Sequence, residues 1–275
     1  MTVSVNTNVG AMVALQNLNS TSSQLSATQN IISTGLKVSS AKDDGAIYAI
    51  AQNQRATVSS LDAVTDSLNR ASSVVDVAMS AGNSITDLLT QMKEKALAAS
   101  DTSLDTTSRA AMETDFDSLR DQITSTIENA SFNGVDLLDG TTTSLQALAN
   151  ADGTAHLTVT GQDMSLGGTI VTVGTTASFA SASSASALLS SIDTSITNVS
   201  AALAQLGTSS TAVGNQITFI GKLQDSLNQG IGNMVDADMA QESAKLQALQ
   251  TKQSLGVQAL SIANQSPQIA LSLFK

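Results

Sequence analysis

The feature that most constrains this chain is a helical repeat that continues for most of residues 44–99. Apolar or small residues recur at alternating spacings of three and four between residues 61 and 96, which is the pattern of a coiled-coil seam. No proline occurs before Pro267, so no proline ends this helix early. We therefore predict one continuous helix from Asp44 to Ala99, about 84 Å long at ~1.5 Å per residue.

A helix of that length does not fit inside a compact globule of 275 residues, whose diameter would be about 50 Å. The sequence therefore predicts a rod in which the chain folds back on itself as a long hairpin. Two further seams, at residues 112–127 and 189–234, supply packing partners. The predicted fold class is mainly α, an elongated antiparallel coiled coil or helical bundle. The residues that we expect in the bundle seam are Leu61, Val64, Leu68, Val75, Ile85, Leu89, Met92, Leu203, Leu206, Ile217 and Ile220.

Both ends of the chain lack charge. No Asp, Glu, Lys or Arg lies between Thr2 and Leu36 or between Gln253 and Phe274, yet both stretches have the pattern of amphipathic helices. Identical helices packed side by side do not tolerate repeated like charges, so we predict that the terminal helices form an inner coiled coil for self-assembly. The apolar residues of this assembly interface are Leu15, Leu18, Leu25, Ile32, Leu36, Leu246, Leu249, Val257 and Leu260.

The middle of the chain, at about residues 141–180, is rich in Thr, Gly and Val. Two runs there are rich in β-branched residues, His156–Thr160 and Thr169–Val173, and glycines separate them. We predict that they form a small β-hairpin insert at the tip of the helical hairpin. The predicted domains are an inner coiled-coil domain, residues 1–43 with 236–275, and an outer bundle domain, residues 44–235, which carries the insert.

Composition excludes several functions. A net charge of −11 with no basic run argues against nucleic acid and anionic membranes as partners. No apolar run approaches the ~20 residues of a bilayer span, so we predict no membrane insertion. The start of the chain has neither the basic nor the apolar region of a secretory signal peptide. The chain contains no Cys, which removes disulfides and thiolate chemistry.

No group of residues suggests catalysis. His156 is the only histidine and has no triad or metal-ligand pattern around it, so we predict an exposed strand residue. The pairs Asp43–Asp44 and Asp236–Asp238 precede helices and are interpreted as N-terminal caps. We therefore predict no enzyme activity, no catalytic residue, no cofactor and no metal.

Glycines recur every seven residues in the third seam, at Gly207, Gly214 and Gly221. Close approach between packed helices and coincidence explain this spacing equally well. Neither interpretation is favoured by the sequence.

Several stretches resemble signatures of bacterial flagellins. The segment Ser33–Asp44 is similar to the family's S-S-G-L-R-I-N-S-A-x-D-D pattern, and the middle of the chain is short, so the large outer domains of long flagellins are missing. The other matching stretches are Val5–Asn8, Gln16–Asn19, Phe132–Gly134, Asp236–Glu242 and Gly256–Ser272.

The resemblance implies a structural subunit that self-assembles into the extracellular helical filament of the bacterial flagellum, for swimming motility. The implied partners are further copies or sister flagellins, the flagellar export apparatus, an export chaperone, and the filament cap and hook-junction proteins. It also implies export without a cleaved signal peptide. An alternative is the flagellin-like protein of the hook–filament junction, which shares the terminal helices. An alternative of a different class is the chemotaxis-receptor signalling bundle, which would need a membrane anchor or a sensory domain and Glu-rich methylation sites.

Overall fold

The computed structural model describes residues 7–272, with side chains described for residues 7–265. This part of the chain forms five helices and two antiparallel two-stranded sheets, so the mainly helical prediction is confirmed. The elements in chain order are α1 (Val9–Thr34), α2 (Gly45–Ala99), α3 (Thr106–Glu128), β1 (Ser131–Phe132), β2 (Val135–Asp136), β3 (Ser144–Leu148), β4 (His156–Thr160), α4 (Ala182–Val235) and α5 (Met239–Ser272).

The chain divides into two compact units. The terminal unit combines the residues up to Ala56 with those from Ser226 onward, and the bundle unit is Thr57–Asp225. Both boundaries fall inside long helices, α2 and α4, because each of these helices contributes residues to both units. The domain limits that we predict lie instead at helix ends, near residues 43 and 236, and they stay a prediction.

The helix predicted for Asp44–Ala99 is present as α2, with 55 residues. Asp44 caps its start, since the carboxylate oxygen Oδ1 accepts the backbone N–H groups of Ala46 and Ile47 at 3.0 Å each. Asp238 caps α5 in the same way, accepting the N–H groups of residues 240 and 241. The capping interpretation is confirmed for these two residues.

Asp43 has a different role from the cap that we predict. Its Oδ2 accepts the backbone N–H groups of Ser39 and Ser40, at 3.1 and 2.9 Å, and both serine hydroxyls. These bonds, the Ser39 hydroxyl first, lower the pKa of the Asp43 carboxyl below its usual value. Asp43 therefore fixes the loop before α2 and does not bond the helix itself.

The bundle unit buries a continuous aliphatic seam. Gly82 of α2 is part of it, because a Cβ atom at this position would lie 2.7 Å from Cδ2 of Leu203 on α4. Leu203 and Ile217 are half-buried. The other predicted seam residues have at most 1% of their surface exposed: Leu61, Val64, Leu68, Val75, Ile85, Leu89, Met92, Leu206 and Ile220.

The corner between α2 and α3 contains a buried arginine that sequence reasoning missed. Arg109 donates from Nε to the carbonyl of Ala99 at 3.0 Å and from Nη2 to the carbonyls of Asp101 and Leu104, at 2.9 and 3.2 Å. The end of a helix leaves a carbonyl such as that of Ala99 without an intrahelical partner, while the carbonyls of Asp101 and Leu104 belong to the loop that follows. The guanidinium thus closes the end of α2.

In the β insert, strand β4 pairs with a different segment from the predicted one. Strand β4 coincides with His156–Thr160 as predicted, but it pairs with Ser144–Leu148. The run Thr169–Val173 is not a strand, so its predicted pairing is wrong. Its backbone instead bonds to side chains of α4: the N–H of Thr172 donates to Oγ of Ser195 at 2.9 Å.

Burial explains why that run has a β-like composition. Val171 and Val173 are fully buried while Thr172 between them is exposed, so the alternation marks a buried extended segment without a strand partner. His156 on β4 is exposed, as predicted.

A two-residue turn joins β1 and β2. Asn133 and Gly134 both have positive φ, 51° and 77°, which is the geometry of a type I′ turn.

The glycines of α4 have open space around them. A Cβ atom on Gly207, Gly214 or Gly221 would meet no atom within 4 Å. Close helix approach inside the chain therefore does not explain the seven-residue glycine spacing.

Candidate assembly interface

Helices α1 and α5 pack against each other in the terminal unit and run antiparallel. At one end of the pair, Nδ2 of Asn8 donates to the carbonyl of Ala263 at 2.7 Å. At the other end, the N–H of Ala237 donates to the carbonyl of Gly35 at 2.9 Å. Gly35 has a left-handed φ of 73° and ends α1. Hydrogen bonds at both ends thus fix the register of the pair.

The seam between the two helices follows a strict alternation of three and four. In α1, the residues between 12 and 30 that are not exposed are Ala14, Leu18, Thr21, Leu25 and Thr28. In α5, those between 243 and 262 are Leu246, Leu249, Gln253, Gly256 and Leu260. A Cβ atom on Gly256 would lie 3.3 Å from Cδ1 of Leu18, so the helices approach closely there. The spacing is that of an antiparallel coiled coil.

The predicted interface residues fall into two groups. Leu18, Leu25, Ile32, Leu246, Leu249 and Leu260 line the seam or its end and are buried or half-buried. Leu15 and Val257 are 47% and 53% exposed, so they lie outside the seam between α1 and α5, and their place in the assembly interface stays a prediction. The seam instead passes through Ala14 and Gly256, one position earlier in each case.

Leu36 also lies outside the helical seam. It follows the end of α1 at Thr34 and forms an isolated antiparallel bridge with Asp236. The left-handed turn at Gly35 causes this, because it ends the helical periodicity that predicts Leu36 on the face of Ile32. Whether the nine predicted residues contact other copies stays a prediction.

Sequence reasoning missed the polar residues of the seam. Thr21 and Thr28 are the buried residues of α1, and only their spacing between leucines could have indicated this. Oγ1 of Thr21 donates to the carbonyl of Asn17 at 2.9 Å. Oγ1 of Thr28 and Oε2 of Glu242 are buried without a hydrogen-bond partner. Such unsatisfied groups oppose the stability of the pair.

The side of α1 that faces away from the seam carries no charge; its exposed residues are apolar at residues 9–15 and mostly Asn, Gln, Ser and Thr from residue 16 onward. The described N-terminal residues carry no charge before Lys37. A groove of about 500 Å³ also lies between the helices, lined among others by Leu18, Thr21 and Leu255. Large apolar residues that the pair leaves exposed are Val9, Met12, Val13, Leu15, Met239, Leu255, Val257 and Ile262. A surface of this kind has the chemistry of a protein–protein interface.

Other kinds of site have no support in the described residues. Within residues 7–265, no three His, Asp or Glu side chains are arranged to hold a metal ion. None of the helices, over their described residues, has the length and apolar character of a membrane span. The fold defines a class, a mainly helical protein in which the first and last helices pair.

Comparison with known proteins identifies the family. Residues 5–143 match the bacterial flagellin N-terminal helical region, and residues 189–274 match the C-terminal helical region. Flagellin FljM of Caulobacter vibrioides is 60% identical over 272 residues, covering 99% of this chain and 98% of FljM. A flagellin of Brucella melitensis is 40% identical and covers 99% of both chains. The chain belongs to the bacterial flagellin family.

Membership in this family assigns the general role: the chain is a structural subunit of the extracellular flagellar filament. Among solved structures, a Vibrio parahaemolyticus chain described as a flagellar hook-associated protein aligns with a TM-score of 0.59, covering 70% of this chain and all of that one. The sequence identity is 16%, so the alignment shows a shared fold alone.

Proposed function

We propose that helices α1 and α5 are the part of this flagellin through which copies pack at the centre of the filament, with residues 44–235 forming the outer bundle. The observation that carries this proposal is the set of large apolar residues that the α1–α5 pair leaves exposed. In a monomer these residues contact water. In a filament, neighbouring pairs cover them, and the absence of charge along α1 removes like-charge repulsion.

The packing of the pair supports the same proposal. Leu249 is the one apolar side chain of α5 that the chain itself buries, among the side chains described. Two threonines are the buried residues of α1. Long helices with so little buried apolar surface are marginally stable in water. Assembly therefore supplies the free energy that orders the pair, and part of the binding energy is spent on that ordering.

We further propose that the exposed residues of α5 have a partner before assembly. Leu255 and Ile262 are exposed apolar residues of α5. Without a partner that covers them, copies of the chain would associate through α5 before export. An export chaperone that covers α5 prevents this, and delivery then follows through the flagellar export apparatus. The filament cap and the hook-junction proteins are the proposed contacts at the two filament ends.

A structural role without catalysis is consistent with the position of the one histidine. His156 is exposed on β4, and no hydrogen bond links it to a carboxylate or a hydroxyl nucleophile in the described chain. The chain is similar to flagellins over nearly its whole length, which favours the filament over the hook–filament junction.

Deletion of residues 256–275 tests the proposal. It removes the Gly256 contact to Leu18 and the bond from Asn8 to Ala263. We expect the deleted chain to keep the helical circular-dichroism signal of the bundle unit but to form no filaments after heating and cooling, whereas the full chain forms them. Filaments of the deleted chain in negative-stain microscopy would contradict the proposal.

A further inference from the structure

The turn between β1 and β2 contains the one Asn–Gly pair of the sequence, Asn133–Gly134. Both residues are exposed, and a Cβ atom on Gly134 would meet no atom within 4 Å. The backbone nitrogen that follows an asparagine can attack the side-chain amide carbon, and a glycine offers this nitrogen without a β-carbon to shield it. The two reacting groups are therefore open to each other and to water.

Both reacting groups are free of hydrogen bonds within the described residues. The side-chain amide of Asn133 neither donates nor accepts one there, and the backbone N–H of Gly134 donates none. A nitrogen whose N–H already donates must first give up that bond before it attacks, which adds to the barrier. The free N–H of Gly134 avoids this cost.

The strands that hold the turn are short. β1 and β2 have two residues each, with the register Ser131↔Asp136 and Phe132↔Val135. Both residues of β1 are exposed. A two-stranded ribbon of this size is marginally stable, and it opens locally more often than the whole chain unfolds. Asn133 therefore reaches the backbone geometry of the attack without unfolding of the bundle unit.

Asn129, in the same region of the chain, has none of these features. Its Nδ2 donates to the carbonyl of Ser125 at 2.6 Å. The N–H that follows it, that of Ala130, donates to the carbonyl of Ile127 at 3.0 Å. Ala130 also carries a Cβ atom and is buried. The structure thus distinguishes a protected asparagine from an open one a few residues away.

We propose that Asn133 is a modification site at which the side chain deamidates spontaneously. The nitrogen of Gly134 forms a bond to Cγ of Asn133, the Cγ–Nδ2 bond breaks, and ammonia leaves with the proton of the Gly134 N–H. The product is a five-membered cyclic imide. Water is the second reactant and opens this ring at one of its two carbonyl carbons. The proposal does not depend on the filament function, because one chain and water suffice.

The two products of ring opening affect the turn differently. If the bond from Cγ to the glycine nitrogen breaks, the product is aspartate, and an Asp–Gly pair also adopts a type I′ turn. If the bond from the backbone carbonyl carbon breaks, the product is isoaspartate, whose main chain is longer by one methylene. The Phe132–Val135 pair then no longer closes over two residues. Both products add one negative charge to a chain whose net charge is −11.

The experiment follows the full chain during incubation at mildly alkaline pH, where the Gly134 N–H loses its proton more readily. Endoproteinase Asp-N cuts before aspartate but not before asparagine or isoaspartate, so the unmodified chain releases residues 121–135. Aspartate at position 133 creates a peptide of residues 121–132. Isoaspartate leaves residues 121–135 intact, with the mass change of NH₂ replaced by OH. We expect both products, formed at least ~10-fold faster than any product at Asn129 in the same peptide.

Asn133→Gly is the matched control variant, because it removes the reacting amide and keeps a residue that adopts positive φ. After incubation, the Val135 amide should exchange its hydrogen faster in the unchanged chain and at an unaltered rate in Asn133→Gly. Freshly prepared Asn133→Asp should keep the slow exchange of the unmodified turn. That result would assign the opening of the turn to isoaspartate.

Two results would overturn the proposal. One is an equal rate of modification at Asn129 and Asn133. The other is an Asn133 that stays unmodified in the folded chain while the same chain reacts in denaturant, since the turn would then protect the amide. The filament function is tested separately: a chain that forms no filaments but is modified at Asn133 would refute that function and support this inference.

Discussion

The α1–α5 pair and the bundle unit are built on the same heptad spacing, but they bury very different residues. In the bundle unit, Leu68, Ile85 and Leu89 of α2 have none of their surface exposed. In α1 of the α1–α5 pair, the corresponding positions between residues 18 and 28 alternate leucines that are half-buried with threonines that are buried. The same periodicity thus gives a complete core in one region and an incomplete one in the other.

The difference shows what helical spacing does and does not determine. Spacing fixes which residues face a partner helix, whereas the size and polarity of those residues fix how much free energy the contact supplies. The bundle has enough apolar contact to fold in a single chain. The α1–α5 pair has a weak seam and leaves several large apolar residues exposed, so we expect its stability to depend on neighbouring copies.

A charge in the weak seam should have the largest effect. We expect Leu25→Asp or Leu260→Asp to abolish filament formation, because each copy would place a charge in a seam whose own residues carry none. Swimming and the yield of sheared filaments from cells measure the result. Thr176→Asp, at an exposed position of the bundle unit, is the control and should leave both unchanged. Normal filaments from Leu260→Asp would show that the pair is not the assembly interface.

A cavity in the seam of the bundle unit should lower the stability of the fold without changing the assembly surface. Leu68→Ala removes a fully buried side chain, and we expect it to lower the free energy of unfolding by about 2–5 kcal/mol. His156→Ala, at an exposed strand position, should change it by less than about 0.5 kcal/mol. Denaturant unfolding of the full chain, with hydrogen exchange to follow the α2 amides, measures both. A larger loss for His156→Ala would contradict the assignment of the core.

Substitutions at the buried threonines of the α1–α5 seam should raise stability instead of lowering it. Thr28→Val replaces a buried hydroxyl that has no partner with a methyl group of similar size, so we expect the α1–α5 pair to gain stability, on the order of 1 kcal/mol. Thr21→Val is the matched control, because it loses the hydrogen bond to the Asn17 carbonyl and should gain less. Hydrogen exchange of the α1 amides measures the difference. Equal effects at both positions would show that the unsatisfied hydroxyl does not weaken the pair.

The smallest expected effect concerns a buried carboxyl in the bundle unit. Burial raises the pKa of Asp136 above its usual value, and the charge of Asp139 adds to this, while the N–H of Leu138 bonds Oδ1 at 2.7 Å and lowers it. A raised pKa in the folded chain means that stability falls as the pH rises from the unfolded value towards the folded one. Above the folded pKa the full cost is present.

We therefore expect Asp136→Asn to raise the melting temperature slightly at pH 7, and we expect this effect to shrink towards the usual Asp pKa of 3.8 and to vanish well below it, where the aspartate is protonated in both states. Melting curves of the two chains between pH 3 and pH 7 measure the difference. Asp76→Asn, which changes an exposed carboxylate on α2, serves as the control. A destabilised Asp136→Asn chain at pH 7 would show that the charge of Asp136 contributes favourably.

Much of the fold follows from local sequence signals. The limits of α2, the caps at Asp44 and Asp238, and strand β4 are predictable because they depend on residues that are near one another in the chain. The type I′ turn at Asn133–Gly134 belongs to the same group, since few residues other than Asn and Gly adopt a positive φ. In each case the determining interaction spans no more than a few residues.

Contacts between distant segments account for the errors. Thr169–Val173 alternates like a strand, but its backbone forms hydrogen bonds with the side chains of Ser195 and Asn198 on α4. No local sequence signal indicates whether such a segment pairs with a strand or with helix side chains. Leu15 and Ala14 both fit a helical stripe, and only the position of α5 decides that the seam passes through Ala14. The buried cap formed by Arg109 depends on how α3 meets the end of α2.

The sequence by itself determined the family, the helical periods, and the absence of charge from both ends, because these are properties of residue identity and spacing. The tertiary structure decided which side of α1, α4 and α5 packs against another helix and which side is exposed. For α1 and α5 it separated the seam leucines from Leu15 and Val257. For α4 it left Phe219 exposed. The physical reason is that burial depends on the neighbour that lies across each face, and that neighbour comes from far away in the chain or from another copy.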